Sequence, residues 1–340
     1  MASPISTRRA IRYVVTRYEL MGEVSVKYAL VFPGQGSQFI GMGREAAQQF
    51  PAASLVFQEV DEALGQNLSQ LMWQDGDEEW LNLTINAQPA LMATSMSILR
   101  ALESVGFSLG SVAFLAGHSL GEYSALCASG ALSLADTARL LRWRGEAMQK
   151  AVPVGEGGMA AVLGVDLPVV EMIAGEAAEQ GVCEVANDND PKQAVISGHA
   201  AQIVRAIEIA ASHGVRRTLR LNTSAPFHCS LMQPAAESMR HELAKVRIHD
   251  PAIPIIANVT AEPVADADTV QRLLVEQVTG RVRWRETIMR LEQEGVTSII
   301  ELGAGKALCG MIRRTAPAIS THACIAPDEI HALVDDIGDG

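Results

Sequence analysis

The chain is poor in cysteine, and the few it has are scattered. Cys127, Cys183, Cys229, Cys309 and Cys324 form no C-x-x-C pair and are odd in number. That pattern excludes a disulfide scaffold and fits free thiols in a reducing compartment. The eight histidines show no H-E-x-x-H or similar spacing, so no metal site is expected. Aromatic residues make up only 4%. No apolar run reaches the ~18 residues that a membrane span needs, and the N-terminus lacks the apolar segment of a secretory signal. Positive charge is also short. Twenty-seven Lys and Arg against thirty-nine Asp and Glu give a net charge of −12, which argues against nucleic-acid binding by the molecule as a whole. A dinucleotide fingerprint is missing too: Gly34 and Gly36 begin a G-x-G-x-x-G pattern, but Phe39 stands where the third glycine is required.

What remains is a globular composition, with 48% hydrophobic and 19% charged residues over 340 positions, enough for more than one folding unit. Residues 1–26 stand apart. Arg8, Arg9, Arg12 and Arg17 precede the first acid, Glu19. This stretch reads as a disordered extension or a start-site artefact before Met21, with a transit peptide as the alternative.

The stretch around which the chain is organised is Gly117-His118-Ser119-Leu120-Gly121. An apolar run, 113–116, leads into it, and a helix-compatible stretch follows to Ser129. Strand, tight turn and helix are the setting of a nucleophile elbow. The glycines let strand and helix approach closely, and the helix N-terminus favours developing negative charge. Ser119 is therefore the candidate nucleophile.

Other elements fall around it. Residues 28–32 read as a buried strand, 43–66 and 84–105 as helices. Ser133 and Asp136 form a capping box for a helix to about Gln149. Arg144 lies beside that helix's apolar stripe, where an arginine can snorkel over it. Residues 158–222 follow the order β-α-β-β-α-β, a ferredoxin-like pattern inserted into a larger unit of 27–157 and 223–326, with 187–191 as a turn cluster. Residues 327–340 read as a loose acidic tail. A serine needs a base. His228, in a Pro-containing loop that re-enters the larger unit, is the preferred candidate, with a purely structural histidine as the alternative. Asp166, Asp188 and Asp190 lie between serine and histidine but belong to the inserted unit. A Ser-His pair oriented by a backbone carbonyl or amide is therefore expected.

Five motifs in order carry a resemblance: Phe-Pro-Gly-Gln-Gly-Ser-Gln at 32–38, Gly-His-Ser-Leu-Gly-Glu-Tyr at 117–123, Arg144-Gly145, Ser-Ala-Pro-Phe-His at 224–228, and Glu-Leu-Gly-Ala-Gly-Lys at 301–306. From about Tyr28 to Ala326 the chain resembles the malonyl-CoA:acyl carrier protein transacylase family. The resemblance implies an α/β-hydrolase-like core with an inserted ferredoxin-like subdomain. It implies Ser119 as the acylated nucleophile and His228 as its base. Backbone N–H groups of Gln35 and Leu120 would form an oxyanion hole, and Arg144 would pair with the malonyl carboxylate. Gln277 would help orient the histidine, with Asn187 and Asn258 near the site. Phe227 would leave little space for an α-methyl group. Coenzyme A and acyl carrier protein are the implied partners, with no cofactor, no nucleic acid and no membrane, in a cytoplasmic monomer of fatty-acid synthesis. A polyketide pathway, or hydrolysis of carrier-bound acyl groups, is the alternative. Because the carrier is acidic, docking needs a local basic surface, either Arg281, Arg283, Arg285, Lys306, Arg313 and Arg314 or Arg216, Arg217 and Arg220.

Overall fold

The computed structural model describes residues 26–73, 77–223 and 225–338. The N-terminal extension up to residue 25, and Ser224 of the fourth motif, lie outside the described residues. In chain order the elements are β1 (Tyr28–Phe32), α1 (Arg44–Gln49), α2 (Pro51–Leu64), α3 (Leu68–Trp73), α4 (Glu78–Asn82), α5 (Thr84–Ser104), β2 (Val112–Gly117), α6 (Gly121–Ala128) and α7 (Leu134–Ala151). Next come β3 (Gly157–Leu163), α8 (Leu167–Ala177), β4 (Cys183–Asp190), β5 (Gln193–His199), α9 (Ala200–Ser212) and β6 (Arg217–Arg220). The chain closes with α10 (Gln233–Leu243), β7 (Ile255–Ile256), β8 (Pro263–Val264), α11 (Ala267–Thr279), α12 (Trp284–Gln293), β9 (Ser298–Leu302), α13 (Ala307–Thr315), β10 (Ser320–Cys324) and α14 (Pro327–Gly338).

Two separate sheets result. The first has the order β10-β9-β1-β2-β7-β8, parallel from β10 to β7, with β8 antiparallel at the edge. Its central strands are apolar on both faces, as parallel strands covered by helices must be. In β1, Leu30 and Phe32 point to a core shared with α5 and α7, while Ala29 and Val31 pack with Trp284, Ile288 and Ile312 of α12 and α13. The second sheet, β4-β5-β3-β6, is antiparallel. Ala160, Val162 and Ile196 on one face pack under α8 and α9. Met159, Ala161 and Val195 on the other face join the main core. That second face forms a roof over the carboxyl ends of β1 and β2, where ligands bind in open α/β sheets.

Three readings of local structure change, and one run with no structural reading finds its place. The helix expected over 43–66 breaks at Phe50, whose backbone is extended (φ −116°), because Pro51 excludes helical geometry from the residue before it. The expected turn at 187–191 shrinks to Pro191-Lys192, and β4 runs on to Asp190. Its polar side chains have partners that keep them in the strand: Asp188 binds Arg285, Asn189 binds His118 and Asp190 binds Arg314. The basic run at 281–285 opens α12, whose Trp284 and Ile288 are buried. The acidic tail is not loose: 327–338 forms α14, with Ile330 and Leu333 buried against the core.

Candidate active site

Ser119 sits on the turn between β2 and α6 with a left-handed backbone, φ 54°. That conformation is costly for a residue with a Cβ and persists only where the surroundings enforce it. They do so here by close packing. A Cβ on Gly117 would lie 1.9 Å from the Gly121 backbone, and one on Gly121 would lie 2.3 Å from the Phe32 carbonyl oxygen. Asn258, at the end of β7, ties the turn together. Its Oδ1 accepts the Ser119 N–H at 2.8 Å, and its Nδ2 donates to the Gly117 carbonyl at 2.7 Å.

His228 Nε2 lies 2.7 Å from Ser119 Oγ. Its Nδ1 faces two backbone carbonyls, Gln277 at 2.9 Å and Gly280 at 3.1 Å. Carbonyls only accept, so Nδ1 carries the proton and Nε2 presents a lone pair to the serine hydroxyl. Burial, reinforced by the Arg144 charge, lowers the His228 pKa to about 3, so the imidazole is neutral. His228 also has a positive φ, 57°. Among the described residues, no carboxylate bonds to its Nδ1. Asp188 pairs with Arg285, Asp190 with Arg314 and Asp166 with Lys192.

Arg144 does not snorkel. It is 2% exposed and reaches inward from α7. Its Nη1 donates to Gln88 Oε1 at 2.8 Å; its Nη2 donates to Gln277 Oε1 at 2.9 Å and to Ser119 Oγ at 3.2 Å. Among the described residues its Nε has no hydrogen-bond partner, and the guanidinium lies 5.6 Å from the centre of the Tyr123 ring. From Gln88 a chain of bonds continues to the loop after β1. Gln88 Nε2 donates to Thr84 Oγ1, and that hydroxyl donates to Gln35 Oε1, each at 2.9 Å. Gln277 Nε2 donates to the Ser119 carbonyl at 2.9 Å and to the Glu122 carboxylate at 2.7 Å. His118, next to Ser119, turns away and meets Asn189 Oδ1 at 2.9 Å.

These residues open into a cavity of about 490 Å³. Gln35 and Leu120 lie in its wall beside Ser119, and Phe227 and Asn187 contribute from the histidine loop and β4. Asn187 lines the cavity but is not bonded to the Ser-His pair. Ala307, Leu308 and Met311 of α13 close one side. Glu301 anchors that helix: buried in β9, its carboxylate accepts the N–H groups of Leu308 at 3.2 Å and Cys309 at 2.7 Å. Thr84, Gln88, Glu122 and the His118–Asn189 pair escape a reading of the sequence by residue type. Gln88 alone carried a signal, as a polar residue within an apolar helix.

The chain matches the acyl transferase domain model over residues 29–327. It belongs to the acyl transferase family. It is 44% identical to the malonyl CoA-acyl carrier protein transacylase of Bacillus subtilis strain 168, over 92% of this chain and 97% of that one. To the protein of the same name in Escherichia coli K12 it is 38% identical, over 91% and 99%. Among solved structures, the acyl-carrier-protein-S-malonyltransferase of Bartonella henselae superposes with a TM-score of 0.89 at 50% identity, covering 92% of this chain and 99% of that one. A malonyl-transacylase solved in complex with its type II polyketide acyl-carrier protein superposes at 0.88, with 35% identity over 91% and 99%.

Half of the arginines expected as a carrier-docking surface are engaged in ion pairs within the molecule. Arg281 pairs with Glu171, Arg283 with Glu286, Arg285 with Asp188 and Arg314 with Asp190. Among the described residues, Lys306, Arg313, Arg216, Arg217 and Arg220 have no ion pair, although Arg313 donates to the Thr321 hydroxyl at 3.2 Å.

Proposed function

We propose that this chain transfers a malonyl group from malonyl-CoA to the phosphopantetheine thiol of acyl carrier protein, through a malonyl-Ser119 intermediate. The observation that carries the reading is the Arg144 guanidinium, buried and within hydrogen-bond reach of the nucleophile's own oxygen. A neutral acyl group would leave that charge without an anion, whereas a malonyl carboxylate meets it with two parallel bonds.

In the first half-reaction His228 Nε2 takes the Ser119 proton as Oγ attacks the thioester carbonyl. The N–H groups of Gln35 and Leu120 receive the oxyanion; loss of one such donor costs about 2.7–4 kcal/mol in comparable sites. Coenzyme A departs as the thiol, with the proton from His228. The carrier thiol then enters the same cavity, His228 removes its proton, and the steps run in reverse. The Gln277 and Gly280 carbonyls accept the Nδ1–H of the neutral ring and of the imidazolium formed in each half-reaction, holding the ring in one orientation. Phe227 narrows the space beside the acyl α-carbon and favours malonyl over methylmalonyl groups.

The same reading assigns 27–157 and 223–326 to an α/β-hydrolase-like core and 158–222 to a ferredoxin-like subdomain. The strand order β4-β5-β3-β6 supports the second assignment. It places the chain in cytoplasmic fatty-acid synthesis, with the unpaired Arg216, Arg217, Arg220 and Lys306 meeting the acidic carrier. The test is product analysis with malonyl-CoA, with and without holo-carrier. Malonyl-carrier formed at the expense of free malonate supports transfer; malonate released at the same rate whether or not carrier is present overturns it.

A further inference from the structure

Glu122 takes no part in the steps above, yet it lies buried beneath the nucleophile in the first turn of α6. Its Oε2 accepts the Asn258 N–H at 3.1 Å and the Gln277 amide N–H at 2.7 Å. An amide has one donating end and one accepting end. The donating end of Gln277 faces three oxygens: Ser119 O, Glu122 Oε2 and, at 3.4 Å, Asn258 Oδ1. Its accepting end faces Arg144 Nη2 at 2.9 Å. Turned over, Gln277 would set oxygen against those three oxygens and an NH2 against a guanidinium that cannot accept. Of the three, only the carboxylate carries a full charge, so it contributes most to the preference. Asn258 contributes only the long 3.4 Å contact, because its Oδ1 is turned to the Ser119 N–H and its Nδ2 to the Gly117 carbonyl.

We propose that Glu122 is a positioning residue for acyl selection: it locks the Gln277 amide, and the locked amide holds the Arg144 guanidinium where it meets a carboxylate-bearing acyl group. Glu122 touches neither the substrate nor the reacting atoms. The inference rests on malonyl transfer being the reaction. Burial pushes the Glu122 carboxyl up to about 7, against the opposing pull of its two N–H donors and of the Arg144 charge, so Glu122 is an anion above that pH and gains a proton below it.

The test compares kcat/KM for malonyl-CoA and acetyl-CoA, with holo-carrier as acceptor, in the full chain and its Glu122→Gln variant. The malonyl-over-acetyl ratio should fall by about tenfold or more, mainly through a higher KM for malonyl-CoA, with acetyl transfer little changed. In a Gln277→Ala background the same substitution should leave the ratio almost unaltered, because the intermediary is gone. An equal loss for both substrates, or none, overturns the inference. If Glu122→Gln does not fold, the wild-type ratio is followed from about pH 8 to about pH 5, where it should fall as Glu122 gains its proton. Of the groups facing Glu122, Arg144 from α7 and Tyr123 on α6 do not titrate in that window, Gln277 from α11 and Asn258 carry no charge, and His228 stays neutral. A flat ratio there overturns the inference. Wild-type protein that fails to malonylate the carrier overturns the functional reading itself, a different result from an active wild type whose selectivity ignores Glu122.

Discussion

Replacing Arg144 with alanine probes its proposed role in acyl selection directly. The guanidinium is 2% exposed and donates to Gln88, Gln277 and Ser119. A malonyl carboxylate would gain two charge-assisted hydrogen bonds from it, each worth roughly 1.5–3 kcal/mol when shielded from water. Losing both costs about 3–6 kcal/mol. At about 1.4 kcal/mol per tenfold, kcat/KM for malonyl-CoA should fall between about a hundredfold and about twenty-thousandfold. Acetyl transfer should hold or rise, because the variant no longer buries a cation that acetyl leaves unmatched. Arg144→Lys should recover only part of the loss, since an ammonium cannot reproduce the fork. The assay is malonyl and acetyl transfer to holo-carrier at a temperature where both proteins are folded. The second condition matters because Gln88 Oε1 and Gln277 Oε1 each lose a donor, which should lower Tm by a few degrees. A malonyl-to-acetyl ratio equal to wild type would refute the assignment of Arg144, whatever the absolute rates.

Other outcomes follow from the same geometry. Gly117→Ala should yield little folded protein, because the new Cβ would lie 1.9 Å from the Gly121 backbone; circular dichroism and solubility check this. Burial holds His228 neutral to about 3, whereas the unfolded chain protonates it near 6.5. The unfolded state then binds more protons in that window, so His228 contributes stability above about 6.5 that is lost as pH falls toward 3. Urea unfolding should accordingly show wild type losing stability relative to His228→Ala as pH drops below 6.5. Glu301→Ala removes the acceptor for two N–H groups at the start of α13 and should cost about 1–3 kcal/mol in the same assay.

The tight turn at Ser119 was legible because its constraint is steric: glycines flanking the serine mean close backbone approach, and the distances at Gly117 and Gly121 bear this out. Apolar runs such as 28–32 became the central strands for an equally local reason. Polar residues were less legible, because a side chain satisfied by a distant partner looks like one satisfied by water. The run at 187–190 imitates a loop until Arg285, Arg314 and His118 are placed against it. Arg144 imitates a surface arginine until Gln88 and Gln277 come within 3 Å of it. Glu122 reads as an ordinary first-turn acid, and only the fold reveals that Gln277, 155 positions away, lies beside it. In α14, acidic composition masked Ile330 and Leu333, whose spacing buries one face.

The most direct test of malonyl transfer through Ser119 is mass spectrometry of the intact protein and its peptides after brief exposure to malonyl-CoA without carrier. The predicted result is a single malonyl group on the peptide containing Ser119, removed when holo-carrier is added. No adduct, an adduct on another residue, or a Ser119 adduct that carrier thiol does not discharge would contradict it.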